Sequence, residues 1–335
     1  ALTQGEAGRY KVISRFPSYH GCTFGALELT GYDPLRKPFA PMMQEMPKIA
    51  APATYLDRDN LTEEQCGLKY AEYLRDKIIE EGPDTVLAFI MEPVGGASTG
   101  ALVAPDSYYG RIREICDEFG VLLIYDEVMT GAGRTGKFLA AEHWGITPDI
   151  VAMSKGFGAG YAPLGAIVAG ARMVDPVLDT GGFLHGFTYA GNPLACSAGL
   201  AVLEEMEDQG LIENAARMGE VLMAELHSLM DRYPFIGDVR GKGLLTAFEF
   251  VADRETMEPL PPAMNAYDKL VELAYARGLI IYSRRTRGGT AGDHFLLAPP
   301  LIITEAQITE MMTILRDALD AFAVEAGLPV LENAA

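Results

Sequence analysis

Lys155 follows Ser154 at the end of an uncharged run, Ile150-Val151-Ala152-Met153, and precedes Gly156, Gly158, Gly160 and Gly165. The run reads as a short buried strand, and the glycines let other atoms come close to the backbone. A low-dielectric strand end disfavours the ammonium form, and the unprotonated amine is the form that attacks a carbonyl to make a Schiff base. Asp126 lies 29 positions earlier, directly after a second apolar run, Val121-Leu122-Leu123-Ile124-Tyr125. In a parallel sheet both strand ends border one crevice, so a carboxylate and an amine would face the same space. A carboxylate buried there needs a cationic partner. Pyridoxal phosphate (PLP) supplies one: its pyridine nitrogen, kept protonated by Asp126, makes the ring an electron sink, while Lys155 holds its aldehyde. Each residue alone has a plainer reading, a solvated lysine in a glycine loop and an aspartate capping a turn. Together they point to chemistry.

A second pattern, Gly131-Ala132-Gly133-Arg134-Thr135-Gly136, matches the G-x-G-x-x-G of dinucleotide sites. It fits poorly. Asp126-Glu127 puts charge into the turn, and the next strand ends in Lys155 where a ribose-binding acid belongs. A nicotinamide-dependent dehydrogenase is therefore a remote alternative, as is a non-catalytic remnant.

Bulk composition narrows the partners. The 335 residues carry 27 basic and 46 acidic side chains, a net charge of -19, which opposes unspecific attraction to nucleic acid or to an anionic membrane. Cys22, Cys66, Cys116 and Cys196 lie far apart with no Cys-x-x-Cys, which predicts reduced core residues rather than disulfides or a zinc site. The histidines lack metal-ligand spacing. No apolar stretch is long enough to span a membrane and no signal peptide is evident, so the expectation is a cytoplasmic enzyme or binding protein. The chain starts at Ala1 without a methionine, and residues 1–5 read as the end of a helix already under way, the expectation for a piece of a longer protein.

The elements that must position these residues alternate. Residues 11–15 and 86–91 read as strands, 62–81 and 106–119 as helices, the latter capped by Asp106 and stopped by Gly120. Leu68, Ala71, Leu74 and Ile78 recur at helical spacing, and residues 22–60 read as a long irregular excursion. Residues 165–170 give another strand. This predicts an α/β fold with a mostly parallel sheet and helices on both faces. Residues 1–193 would form that larger domain and 194–232 a linking helical region. Residues 233–335 would form a smaller α+β domain with strands at 243–251, 279–283 and 295–297, a helix at 266–277, and a last helix opened by the capping box Thr304-Glu305-Ala306-Gln307.

Several stretches carry a resemblance, in order along the chain: Tyr19-His20-Gly21, Glu92-Pro93, Tyr125-Asp126-Glu127-Val128 through Gly136, Ser154-Lys155-Gly156, Pro163-Leu164-Gly165-Ala166, and Thr188-Tyr189-Ala190-Gly191-Asn192-Pro193. They resemble class III aminotransferases of the fold-type I PLP enzymes, over nearly the whole chain. The resemblance implies Lys155 as the Schiff-base lysine and Asp126 as partner of the pyridine nitrogen. It implies Tyr19 stacked on one face of the ring and Val128 pressed on the other, with Gly21 and Glu92 beside the cofactor and His20 either in contact with it or supporting its own turn. It implies that Thr188 reaches across a subunit interface to the neighbouring subunit's phosphate, hence an obligate homodimer. Arg134 is assigned either to cofactor contact or to support of its turn. Members of the family also carry, upstream of Tyr-His-Gly, a serine- and glycine-containing helix start that holds the phosphate, which this sequence lacks. Many bind a substrate carboxylate with a mobile arginine where this chain has Gly289, so Arg284, Arg285 and Arg287 are the candidates, Arg287 first. The implied activity is amino transfer between an amine or amino acid and a keto acid such as pyruvate. An aminomutase, racemase or decarboxylase of the same fold is the near alternative.

Overall fold

The computed structural model describes residues 5–57 and 59–332. The reading of residues 1–5 as a helix end falls almost wholly outside them.

The first sheet has six strands: β1 (Lys11–Phe16), β2 (Lys48–Ala50), β3 (Val86–Met91), β4 (Leu122–Asp126), β5 (Ile150–Met153) and β6 (Ala166–Ala169), in the spatial order β2-β1-β3-β4-β5-β6. All neighbours run parallel except β5 and β6. Tyr125 pairs with Val151 and Asp126 with Ala152, so β4 and β5 end level with one another, and the residues just beyond them share one edge of the sheet. This is the α/β, mostly parallel architecture expected.

Helices α1 (Phe24–Leu29) and α2 (Asp33–Arg36) lie in the stretch read as irregular, which also supplies edge strand β2. These pieces are too short to show a period in sequence. α3 (Glu63–Glu81) opens with a capping box of Thr62 and Gln65 and buries Cys66, Ala71, Leu74 and Ile78. Leu68, assigned to the same face, is 39% exposed. α4 (Asp106–Phe119) ends on left-handed Gly120 as expected, but its N-cap is Pro105. Asp106 is the first helical residue and instead accepts a hydrogen bond from Trp144 Nε1 at 2.8 Å. Ile13, Phe89, Leu123, Tyr125, Tyr108, Tyr109 and Ile112 are the centre of the core between these helices and the sheet.

After α5 (Ala171–Asp179), the long helical pattern resolves into α6 (Pro193–Asp208) and α7 (Leu211–Arg232), separated at left-handed Gly210. A second sheet contains β7 (Ile236–Lys242), β8 (Leu245–Asp253), the short β9 (Glu258–Pro259), β10 (Tyr282–Arg285) and β11 (Asp293–Leu297), all antiparallel. α7, α8 (Ala266–Tyr275) and α9 (Glu305–Ala326) pack against it around Phe248, Phe250, Phe295 and Phe322. β7 was not foreseen, because Gly237, Asp238, Arg240 and Gly241 break its apolar alternation. β10 sits three residues later than read; the apolar Leu279-Ile280-Ile281 precedes it.

Candidate active site

One cavity of about 750 Å³ collects residues from distant parts of the chain: Tyr19, His20 and Gly21 after β1, Glu92 after β3, Asp126 and Val128 at the end of β4, and Lys155 after β5. Because parallel strands all leave the sheet at the same edge, four separate segments converge there without any of them being long.

Asp126 is buried, and both its oxygens are engaged. Oδ2 lies 2.9 Å from His20 Nδ1, and Oδ1 accepts the Val128 N–H at 3.1 Å. His20 is itself buried, and its other ring nitrogen, Nε2, has no hydrogen-bond partner. Glu92 is held by its neighbours: Oε1 accepts the Gly96 N–H at 3.0 Å, Oε2 accepts the Tyr19 N–H at 3.4 Å, and its carbonyl accepts from Arg15 Nη2 at 2.6 Å. Burial raises the Glu92 pKa above the usual carboxylate range, with His20 and Arg15 opposing and the Asp126 charge adding to the rise. Tyr19 is 37% exposed, and burial on its protected side pushes its phenol pKa up.

Lys155 has a backbone φ of 47°, the left-handed region that a residue with a Cβ rarely occupies. Ser154 before it is extended and Gly156 follows, so the chain turns sharply at the strand end and swings the lysine out. Ser154 anchors the turn through Oγ to the Leu164 carbonyl at 2.9 Å. Such strain persists only where the surroundings hold it, and it accompanies functional positions. The residue as a whole opens to the cavity, yet the surrounding walls withdraw enough water to lower its ammonium pKa, with the charges of Asp126 and Glu92 opposing. The result favours a neutral amine more than in a solvated lysine.

Other assigned residues fall elsewhere. Glu127 turns away from the cavity and accepts the N–H groups of Ala140 and Ala141 at 3.1 and 2.9 Å and the hydroxyl of Thr130. Arg134 donates to the carbonyls of Leu244 at 3.2 Å and Pro299 at 2.5 Å, tying the turn to the second sheet. The Gly131–Gly136 segment is a run of turns followed only by a five-residue 3-10 helix, Ala140–Trp144, so no α-helix N-terminus opens on it for a pyrophosphate. Its glycines serve packing: a Cβ on Gly136 would stand 2.8 Å from that of Ala216. Arg287 does not line the cavity; its guanidinium donates to the Met257 carbonyl. Arg285 pairs with Asp293 at 2.8 Å, and Arg284 lines the cavity. Thr188 is exposed and outside the cavity lining. Sequence reasoning missed Tyr32, Ser98, Tyr282 and Leu296, which line the same space. Ser98 is buried with no partner for its Oγ, and its place shortly after Glu92 was the available signal. Of the cysteines, Cys66 and Cys116 are buried, whereas Cys22 and Cys196 are exposed, against the expectation of four core residues. Among the described residues no group of three or more acidic, histidine or cysteine side chains could hold a metal, and no helix is long and apolar enough to cross a membrane.

The class-III aminotransferase family model matches residues 1–319. The chain belongs to that family. It is 38% identical over 311 residues to an uncharacterised aminotransferase, YodT, of Bacillus subtilis, covering 92% of this chain and 70% of that one. It is 34% identical over 324 residues to the putrescine–pyruvate aminotransferase of Pseudomonas aeruginosa, covering 95% and 68%. A thermostable (S)-enantioselective omega-transaminase from Thermomicrobium roseum superposes with a TM-score of 0.90 at 36% identity, over 96% of this chain and 70% of that one. The chain thus spans about two thirds of the length of the proteins it matches. Class-III aminotransferases are PLP-dependent, and the chemistry of the cavity fits the cofactor's ring: the buried Asp126 carboxylate faces it with no lysine or arginine pairing it among the described residues.

Proposed function

We propose that this aminotransferase moves an amino group between an amine or amino acid and a keto acid such as pyruvate, and that Lys155 and Asp126 carry the chemistry. The observation that bears most weight is that Asp126, fixed by His20 and the Val128 N–H, shares one cavity with a lysine whose ammonium form is disfavoured. The relative named for putrescine and pyruvate supports the keto-acid half of the reading.

Lys155 would hold PLP covalently, Asp126 would pair with its ring nitrogen, Tyr19 and Val128 would flank the ring, and Gly21 and Glu92 would border it. When bound, the cofactor supplies an aldehyde to carry the amino group and a ring that withdraws electrons. The chain's own part is then positioning and proton handling. Freed when the substrate amine takes its place on the cofactor, Lys155 Nζ would take up the proton that the substrate carbon releases and hold it for return. His20 holds the Asp126 carboxylate in place so that its charge stays fixed while protons move. Burial of Glu92 favours its protonated form more than in a solvated carboxylate, which limits repulsion of the Asp126 charge.

A homodimer is part of the same proposal. Phe183, Leu184, Phe187, Tyr189 and Leu194 are all at least 65% exposed, more apolar surface than a monomer commonly shows in one stretch. Thr188 lies within it and would serve the partner's site. Repulsion at -19 per subunit requires an interface that is extensive and mainly apolar. A cytoplasmic location fits four unpaired cysteines.

The test is chemical labelling with product analysis. PLP added to the protein should give a visible absorbance that borohydride fixes as a pyridoxyl group on Lys155, and an amine with pyruvate should yield alanine in equal amount. Release of carbon dioxide, or isomerisation without an acceptor, would replace amino transfer by the alternatives of the same fold.

A further inference from the structure

One buried ion pair lies outside the cavity yet reaches its wall. Arg240, on β7, and Glu249, on β8, are nearly and fully buried, and Arg240 Nη2 meets Glu249 Oε2 at 2.8 Å. The rest of the guanidinium bridges to the first sheet's side of the molecule. Nε donates to the Gly100 carbonyl at 2.6 Å and Nη2 also to the Thr99 carbonyl at 3.0 Å, while Nη1 meets Asp238 at 2.6 Å. The guanidinium lies over the Tyr55 ring at 4.4 Å. Glu249 is fixed in turn, its Oε2 accepting the Tyr55 hydroxyl at 2.8 Å and its Oε1 the Thr286 hydroxyl at 3.2 Å. A buried pair adds little net stability, because desolvation offsets the attraction, but its geometry is closely defined.

The Thr99 and Gly100 carbonyls belong to the turn that follows β3, and that turn holds Glu92. The N–H groups of Thr99 and Gly100 both donate to the Gly96 carbonyl, at 3.2 and 2.9 Å, and the Gly96 N–H donates to Glu92 Oε1 at 3.0 Å. Only glycine fits at position 100: φ is 64°, and a Cβ would stand 2.8 Å from Arg240 Nη2 and 2.7 Å from His294 Cδ2. Arg240 thus fixes one side of a turn whose other side fixes a carboxylate in the cavity. Several charged or titratable groups surround that carboxylate: Arg15 from β1, Tyr19 and His20 just after it, Asp126 from β4 and Lys155 after β5. At Lys155 burial lowers the ammonium pKa, and the charges of Asp126 and Glu92 oppose the fall, so where the Glu92 carboxylate stands matters to the amine.

We propose that Arg240 is a positioning residue that acts from the second sheet, through the turn at residues 96–100, to hold the Glu92 carboxylate beside Lys155. The proposal rests on Lys155 as the reacting amine of the amino-transfer reading, and it makes docking of the second sheet a condition for the field at that amine.

The experiment reads the Lys155 pKa in the cofactor-free protein, by competitive labelling with acetic anhydride and mass spectrometry across the lysine titration range. A role in folding alone would not shift it. Arg240→Lys keeps the charge but lacks the planar fork that reaches two carbonyls and two carboxylates at once. It should lower the Lys155 pKa by about half a unit or more, the order expected when a unit charge retreats by a few ångströms. In a Glu92→Gln background the shift should vanish, since both substitutions then act on one interaction. Arg240→Met combined with Glu249→Gln removes the pair without stranding the Glu249 charge, and should lower the pKa in the same way even where Arg240→Lys does not fold. An unmoved Lys155 pKa in the folded variants, or an equal shift with and without Glu92, would overturn the proposal. A Glu92-dependent shift in a protein that transfers no amino group once PLP is added would keep the positioning role and refute the amino-transfer reading.

Discussion

Replacing Asp126 by asparagine removes one charge and nearly nothing else, because the amide oxygen can still accept the Val128 N–H that now reaches Oδ1 at 3.1 Å. A cationic ring nitrogen hydrogen-bonded to the carboxylate would stand about 4 Å from it between charge centres. At an effective dielectric near 20 that separation is worth about 4 kcal/mol. The asparagine returns about 1 kcal/mol as a neutral hydrogen bond. The remainder, about 3 kcal/mol, corresponds to a loss on the order of 10²-fold in rate. A second consequence has a definite sign: the Asp126 charge raises the Lys155 pKa, so its removal should lower that pKa further. The assay is steady-state amino transfer to pyruvate, together with a pH titration of the bound cofactor's absorbance. The variant should fold, as judged by circular dichroism, and bind PLP more weakly. An Asp126→Asn protein with kcat/KM within twofold of the parent would show that the carboxylate is a strand-end structural group and not the partner of a cationic ring.

Lys155→Ala should lose turnover while keeping its fold, since the residue is both anchor and proton carrier; residual transamination at the parent's rate would remove that assignment. Mixing Lys155→Ala subunits with Thr188→Ala subunits should restore activity, because one site of the heterodimer then carries neither defect; a verified heterodimer without recovery would place Thr188 in its own subunit's site. Acid stability should depend on His294, fully buried and pushed down to about 3 chiefly by burial and also by the charge of Arg240. Its unfolded-state pKa is near 6.5, so the unfolded chain binds the proton first. Stability contributed by this residue is full above about pH 6.5 and is lost as pH falls toward 3, by up to about 1.4 kcal/mol per pH unit. Melting curves from pH 7 to 4 should be flatter for His294→Leu than for the parent, and parallel curves would contradict this.

The strands that carry the chemistry were legible because burial on both faces leaves a continuous apolar run, as in Val86–Met91 and Ile150–Met153. Lys155 and Asp126 stood out because a charged residue directly after such a run is costly unless it has a partner. Cap residues such as Thr62, Thr304 and Gly120 were readable for a similar reason: the hydrogen bonds they satisfy are local. Where the determining contact lies far away in sequence, the residues alone said little. Glu127 looks as available as Asp126 until Ala140 and Ala141 are seen to occupy it, and Arg134 could equally touch a cofactor or support its turn until the Leu244 and Pro299 carbonyls appear beside it. The same holds for the arginines of β10. Sequence ranked Arg287 first of three cations, and only the approach of Asp293 to Arg285 and of Met257 to Arg287 leaves Arg284 facing the cavity. Sequence sets which groups can ionise and which runs must be buried, whereas the tertiary structure decides which of those groups still lack a partner.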